Sequence, residues 1–143
     1  MVTKAESALH EGLVRDLLSW FEQEKGYRIT GADLKGYTQP QVVKNSDGVG
    51  DGENKMPDVD AFDDSTEVYV RGEAKTGDGD LNTEHSKTQF LLFANRHNKA
   101  NGKSSLLYII VPESKIDELK AVLREIGLLD RDNVVWVKSG KYA

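Results

Sequence analysis

Residues 104–112, SSLLYIIVP, constrain the fold more than any other stretch of this chain. The run is apolar at consecutive positions and rich in branched side chains, so it keeps no polar face for water. It reads as a central buried strand, which must lie inside a sheet. The neighbouring segments supply the rest. Residues 5–25 place Leu9, Leu13, Leu17, Trp20 and Phe21 at spacings of three and four, a helical stripe that Gly26 stops. Residues 27–45 hold one or two strands broken by Gly31, Gly36 and Pro40, and residues 45–55 form a polar, glycine-rich loop. MPDVDAFD and EVYVRGEAK, separated by the turn DDST, form a hairpin. A helix follows the loop TGDGDLNT, with Thr83 as N-cap and Gly102 past its end. After the buried strand come an amphipathic helix, with Ile116, Leu119, Val122, Leu123 and Ile126 on one face, and a last strand, NVVWVKS. The order is α, two or three β, then α, β, α, β. This is an α/β chain whose 143 residues fit a single domain, 1–143.

Charge and composition limit the function. A net charge of −5 argues mildly against a tight grip on nucleic acid through its backbone alone, although local patches matter more than the sum. No apolar run reaches the ~18 residues of a membrane span, and the first residues lack the apolar core of a signal peptide. The absence of cysteine excludes disulfides and thiolate metal sites, and the simplest reading is a cytoplasmic protein.

The hairpin carries the chemistry. Alternate residues of a strand share a face, so Glu73 points with Lys75, and Asp58 with Asp60. A turn centred near residues 64–66 puts residue 58 opposite residues 72–74, which brings two carboxylates and an ammonium within side-chain reach. Carboxylates that close repel unless a cation lies between them. Hard oxygen donors suit Mg²⁺, which polarises a phosphoryl oxygen and acidifies a bound water. A lysine beside that water orients it or stabilises the charge that develops.

Pro57-Asp58, a hairpin, then Glu73-Ala74-Lys75 resembles the motif of the PD-(D/E)xK nuclease superfamily. The resemblance covers roughly residues 5–112. It implies a restriction-endonuclease-like αβββαβ core with a mixed central sheet flanked by helices, here with one further C-terminal helix and strand. It implies a metal-dependent DNA endonuclease using Mg²⁺ or Mn²⁺, held by Asp58, Glu73 and the Ala74 carbonyl. Lys75 would position or activate the attacking water. Family members often add a glutamate from the first helix, and Glu6, within the apolar stripe, is chosen over Glu11, which lies off it. Gln89, four residues before Phe93, matches the glutamine many members carry on the helix after the lysine strand. Ser86 and Lys87 lie one turn nearer that helix start, where a phosphate could dock. The small size is similar to stand-alone Holliday-junction-resolvase-like or virus-type replication-repair nucleases, which implies branched or duplex DNA in repair, recombination or defence, and a homodimer to cut two strands. The acidic balance departs from the basic junction resolvases. The alternative is a catalytically silent nucleic-acid-binding module on the same fold.

Other residues have plainer readings. His85 and His97 belong to the surface or the scaffold; His10 lies a turn after Glu6 on nearly the same face. NRHNK (95–99) and Lys103 form a basic cluster, a solvated helix end or a phosphate contact. Asp47, Asp51 and Gly52 match part of a calcium-loop pattern, but the flanks are not helical, so the segment reads as a loop over the active site, with residues 76–82 as a second rim.

Overall fold

The computed structural model describes the backbone of residues 4–143 and the side chains of residues 7–143. Helix α1 (Lys4–Trp20) runs into one π-helical turn, Phe21–Lys25, closed by Gly26 in the left-handed conformation with its N–H on the Phe21 carbonyl. Strands β1 (Arg28–Ala32), β2 (Val59–Asp63) and β3 (Val68–Ala74) follow, then α2 (Glu84–Ala94), β4 (Leu106–Val111), a 3-10 turn Glu113–Lys115, α3 (Ile116–Glu125) and β5 (Val134–Lys138). The five strands make one mixed sheet in the order β1-β2-β3-β4-β5, with the first two pairings antiparallel and the last two parallel. β4 is therefore an inner strand, as its apolar run demands.

The sheet parts two cores. Leu107, Ile109 and Val111 of β4 pack with Phe90, Phe93, Leu119 and Leu123 of α2 and α3. Tyr108 and Ile110, pointing the other way, pack with Leu13, Leu17 and Phe21 beside α1. The two parallel crossovers advance in the same direction along the sheet. Right-handed connections then put both their helices on one face and leave the other to α1. Phe93 belongs to the core and is fully buried.

Gly72 lets α1 come close to β3. A Cβ there would lie 2.7 Å from Leu17 Cδ2 and 3.2 Å from Phe21 Cε2. Gly72→Val is expected to overpack this contact at a cost of about 1–3 kcal/mol, which for a chain of this size lowers Tm by about 3–12 °C in thermal unfolding. An unchanged Tm would mean that α1 is not seated on β3.

One boundary differs from the expectation. α2 ends at Ala94 with Asn95 as C-cap, and Gly102 (φ 72°) instead serves a turn whose Asn98 carbonyl accepts the Gly102 N–H at 2.7 Å. His97 and Ser104 bridge across that turn, so residues 95–104 fold into a hairpin-like loop rather than further helix. Thr83 is the N-cap as expected, its Oγ1 accepting the Ser86 N–H at 3.0 Å. Among the described residues, no helix is long and apolar enough to cross a membrane.

Candidate functional site

The β2–β3 register pairs Val59 with Gly72 and Asp63 with Val68, so Asp58, one residue before β2, stands opposite Glu73. The two are tied reciprocally through the backbone. The Asp58 N–H donates to Glu73 Oε1 at 3.1 Å and to the Gly72 carbonyl at 3.0 Å, while the Ala74 N–H donates to Asp58 Oδ2 at 2.8 Å. Lys75 Nζ lies 3.5 Å from Glu73 Oε2 and donates to Gln89 Oε1 at 2.5 Å. Gln89 comes from α2, which the Thr83 cap starts at the distance that lets its second turn face the end of β3. Asp58, Glu73, Lys75 and Gln89 are all buried.

Such a cluster is unlike a solvated set of cross-strand charges. Glu73 is only 2% exposed. Burial, and then the charge of Asp58, push its carboxyl well above the usual carboxylate range against the pull of Lys75. His10 of α1 brings Nε2 to 3.3 Å from Asp58 Oδ2. That contact raises the imidazole's pKa, against its partial burial. Sequence spacing placed His10 a turn after Glu6; its contact with Asp58 is new.

Asp58 and Glu73 fit a hard divalent cation. Both are oxygen donors, and Glu73 is a buried acid whose charged form burial and Asp58 disfavour despite Lys75, so a bound cation would favour its ionised form. Asp58 Oδ1 takes no hydrogen bond from any described residue. Ala74 sits in β3 with its side chain in the α1 core and its N–H on Asp58. The side chain of Glu6 lies outside the described residues. Glu11, the reserve, is exposed and pairs along the helix with Arg15 at 3.6 Å, away from the cluster.

A second group also offers metal donors. Asp51, Glu53 and His85 bring three donor atoms within 4.8 Å of one another. A cation already stands among them: Lys55 Nζ is 2.7 Å from Asp51 Oδ2, 3.3 Å from Glu53 Oε1 and 2.6 Å from His85 Nδ1. Burial and the Lys55 charge lower the His85 pKa, which keeps the imidazole neutral and its Nδ1 free to accept from the ammonium. Lys55 is itself buried, so an ion would have to displace it or share its acceptors. Both loops are tied down by hydrogen bonds. The Asp51 N–H reaches Thr88 Oγ1 at 3.1 Å, and Asp80 accepts from the Thr76 and Gly77 N–H groups at 2.7 Å each. Ser86 and Lys87 are used within the fold, bonded to the Asp80 carbonyl and Glu125 respectively.

Sequence reasoning missed Lys55, whose near neighbours Asp51 and Glu53 hint at pairing but not at its burial or at His85, and Arg71, for which strand alternation is the signal. Arg71 is two residues before Glu73 and therefore shares its face, and it stands opposite Asp60 in the register. Compared with models of protein families, with curated proteins and with solved structures, the chain matches none.

Proposed function

We propose that this chain is a Mg²⁺- or Mn²⁺-dependent DNA endonuclease of the PD-(D/E)xK kind, built on a restriction-endonuclease-like core. The observation that carries the reading is the buried set at the end of β2 and β3: Asp58 opposite Glu73, with Lys75 Nζ 3.5 Å from Glu73 and held by Gln89. Buried ionisable groups set this close weaken a fold unless they serve something, and perturbed groups of this kind cluster at functional sites. The αβββαβ order with a mixed sheet supports the same reading.

Asp58 and Glu73 would hold the ion, with the Ala74 carbonyl and Glu6 as further ligands. When bound, the ion supplies Lewis-acid polarisation of the scissile phosphate and a more acidic water. The chain's own residues do the rest. Lys75 presents its ammonium beside the acids, where it orients the attacking water and meets the negative charge that grows on the phosphoryl oxygens. Gln89 Oε1 accepts a hydrogen bond from one Lys75 N–H and so fixes the direction of the other two N–H bonds. The Ala74 N–H holds Asp58 in its rotamer. The backbone ties thus preorganise both acids before substrate arrives.

The test is a cleavage assay with labelled duplex, single-strand, flap and four-way-junction DNA in Mg²⁺, Mn²⁺ or EDTA. Metal-dependent cutting is expected, with the preferred DNA form and any dimer requirement read from the same gels. Binding without cutting by any substrate would favour the silent nucleic-acid-binding module instead.

A further inference from the structure

Two residues along from the acid cluster, the same sheet face carries Asp60 and Arg71, opposite each other in the register. They line a cavity of about 700 Å³, shared with Val42 and Val43 from the segment after β1, Arg96 and Lys99 from the loop after α2, and Tyr69. That volume is in the range of small-ligand sites, about 300–1,000 Å³. The cavity contains none of Asp58, Glu73, Lys75 or Gln89, so it adjoins the cluster rather than repeating it.

Arg71 is held but not satisfied. Its Nη1 donates to Ser105 Oγ at 2.8 Å, while its Nε is buried and has no hydrogen-bond partner among the described residues. Asp60 Oδ1 is 4.0 Å away, beyond hydrogen-bond reach, and Asp60 Oδ2 is taken by the Gln41 N–H at 2.7 Å. A buried charged donor left without an acceptor is costly, and a guanidinium fork matches phosphate oxygens. Arg71, Arg96 and Lys99 outnumber Asp60, so the cavity is locally positive on a chain of net charge −5. Tyr69, next on this face of β3, is 45% exposed and steadied edge-on by Phe62 at 5.1 Å.

We propose that this cavity takes one unpaired nucleotide of a DNA strand, its phosphate on Arg71 and its base against Tyr69. The inference rests on the nucleic-acid reading above and adds the form of the substrate. A paired base must first be unstacked and unpaired, at a cost of a few kcal/mol, before it can enter a concave pocket; a nucleotide at a bulge, flap or branch avoids most of that cost. Stacking on one aromatic ring tolerates any base, and the Arg71 fork meets a phosphate of any sequence, so the pocket selects DNA structure rather than sequence.

The test is binding in EDTA, where cleavage plays no part. Fluorescence anisotropy would compare a labelled duplex with the same duplex carrying one bulged nucleotide. The wild-type protein is expected to bind the bulged probe about tenfold or more tightly, the scale of one base–aromatic stack. Tyr69→Ala, at an exposed residue outside both cores, is expected to erase that preference, and Arg71→Ala to do the same if thermal unfolding shows it folded. Equal affinity of the wild type for both probes, or a preference that survives Tyr69→Ala, would overturn the proposal. A bulge preference in a protein that cuts nothing in Mg²⁺ would keep the pocket and remove the nuclease.

Discussion

Lys75→Ala is expected to lower metal-dependent DNA cleavage by about 10²–10⁴-fold, the range for removing one positioned proton-transfer or charge-stabilising group. The lysine lies 3.5 Å from Glu73 and has its ammonium aimed by Gln89. A solvated lysine could not be aimed this way; here burial and the Gln89 carbonyl leave few orientations for its protons. The variant should remain folded. Removing the ammonium deprives Glu73 of a partner, but burial and Asp58 already favour its neutral form, so it responds by holding a proton. The expected stability loss is about 1–3 kcal/mol, that of a buried group losing its hydrogen-bonded partner. Single-turnover cleavage beside thermal unfolding separates the two effects. Gln89→Ala, acting only through the lysine, should reduce cleavage less and shift its pH profile, which loss of packing alone would not do. A Lys75→Ala protein that cuts at more than about a tenth of the wild-type rate would remove Lys75 from the mechanism.

The acid–lysine cluster was legible because it depends on two local rules. Strand alternation assigns Glu73 and Lys75 to one face, and a short turn sets the register that brings Asp58 opposite Glu73. The buried strand was legible because a run such as LLYIIV has only one sensible environment. What escaped depends on contacts between distant segments. The end of α2 lies at Ala94 because residues 95–104 find cross-chain partners: Asn98 and Asn101 both reach the Glu67 carbonyl, and Lys103 reaches that of Thr66. Helical propensity cannot anticipate those bonds. Lys55 looked like an ordinary loop lysine, yet it is the cation on which Asp51, Glu53 and His85 converge. The π-helical turn at Phe21–Lys25 likewise lies where Trp20, Phe21 and Tyr27 pack around Tyr108 from the distant β4.

Glu73→Gln is expected to change how the fold responds to both protons and metal. The wild-type carboxyl is raised in the folded state above its ordinary value of 4.5, chiefly by burial and then by Asp58. Its contribution to stability is therefore full below 4.5 and is lost as pH rises through the raised folded value, because the native state then holds a proton that the unfolded chain has released. In EDTA, the wild-type Tm should fall over that window by an amount that Glu73→Gln lacks. The amide's NH₂ would face Lys75, which lowers the variant's whole curve, so the difference in slope and not in height reports the titration. Metal should act oppositely. An ion at about 100 times its Kd adds about 2.7 kcal/mol to the wild type, a rise in Tm of about 8 °C for a domain of this size. Glu73→Gln should lose most of that rise, since a neutral amide replaces an anionic ligand. Asp51→Asn separates the two candidate metal groups. If the Mg²⁺-induced shift survives Glu73→Gln and disappears in Asp51→Asn, the ion belongs to the loop around Lys55, and the paired acids of β2 and β3 hold no metal. If the shift behaves the other way, the ion sits between the paired acids and stabilises the ionised Glu73 that burial and Asp58 disfavour in its absence, taking the place of the proton.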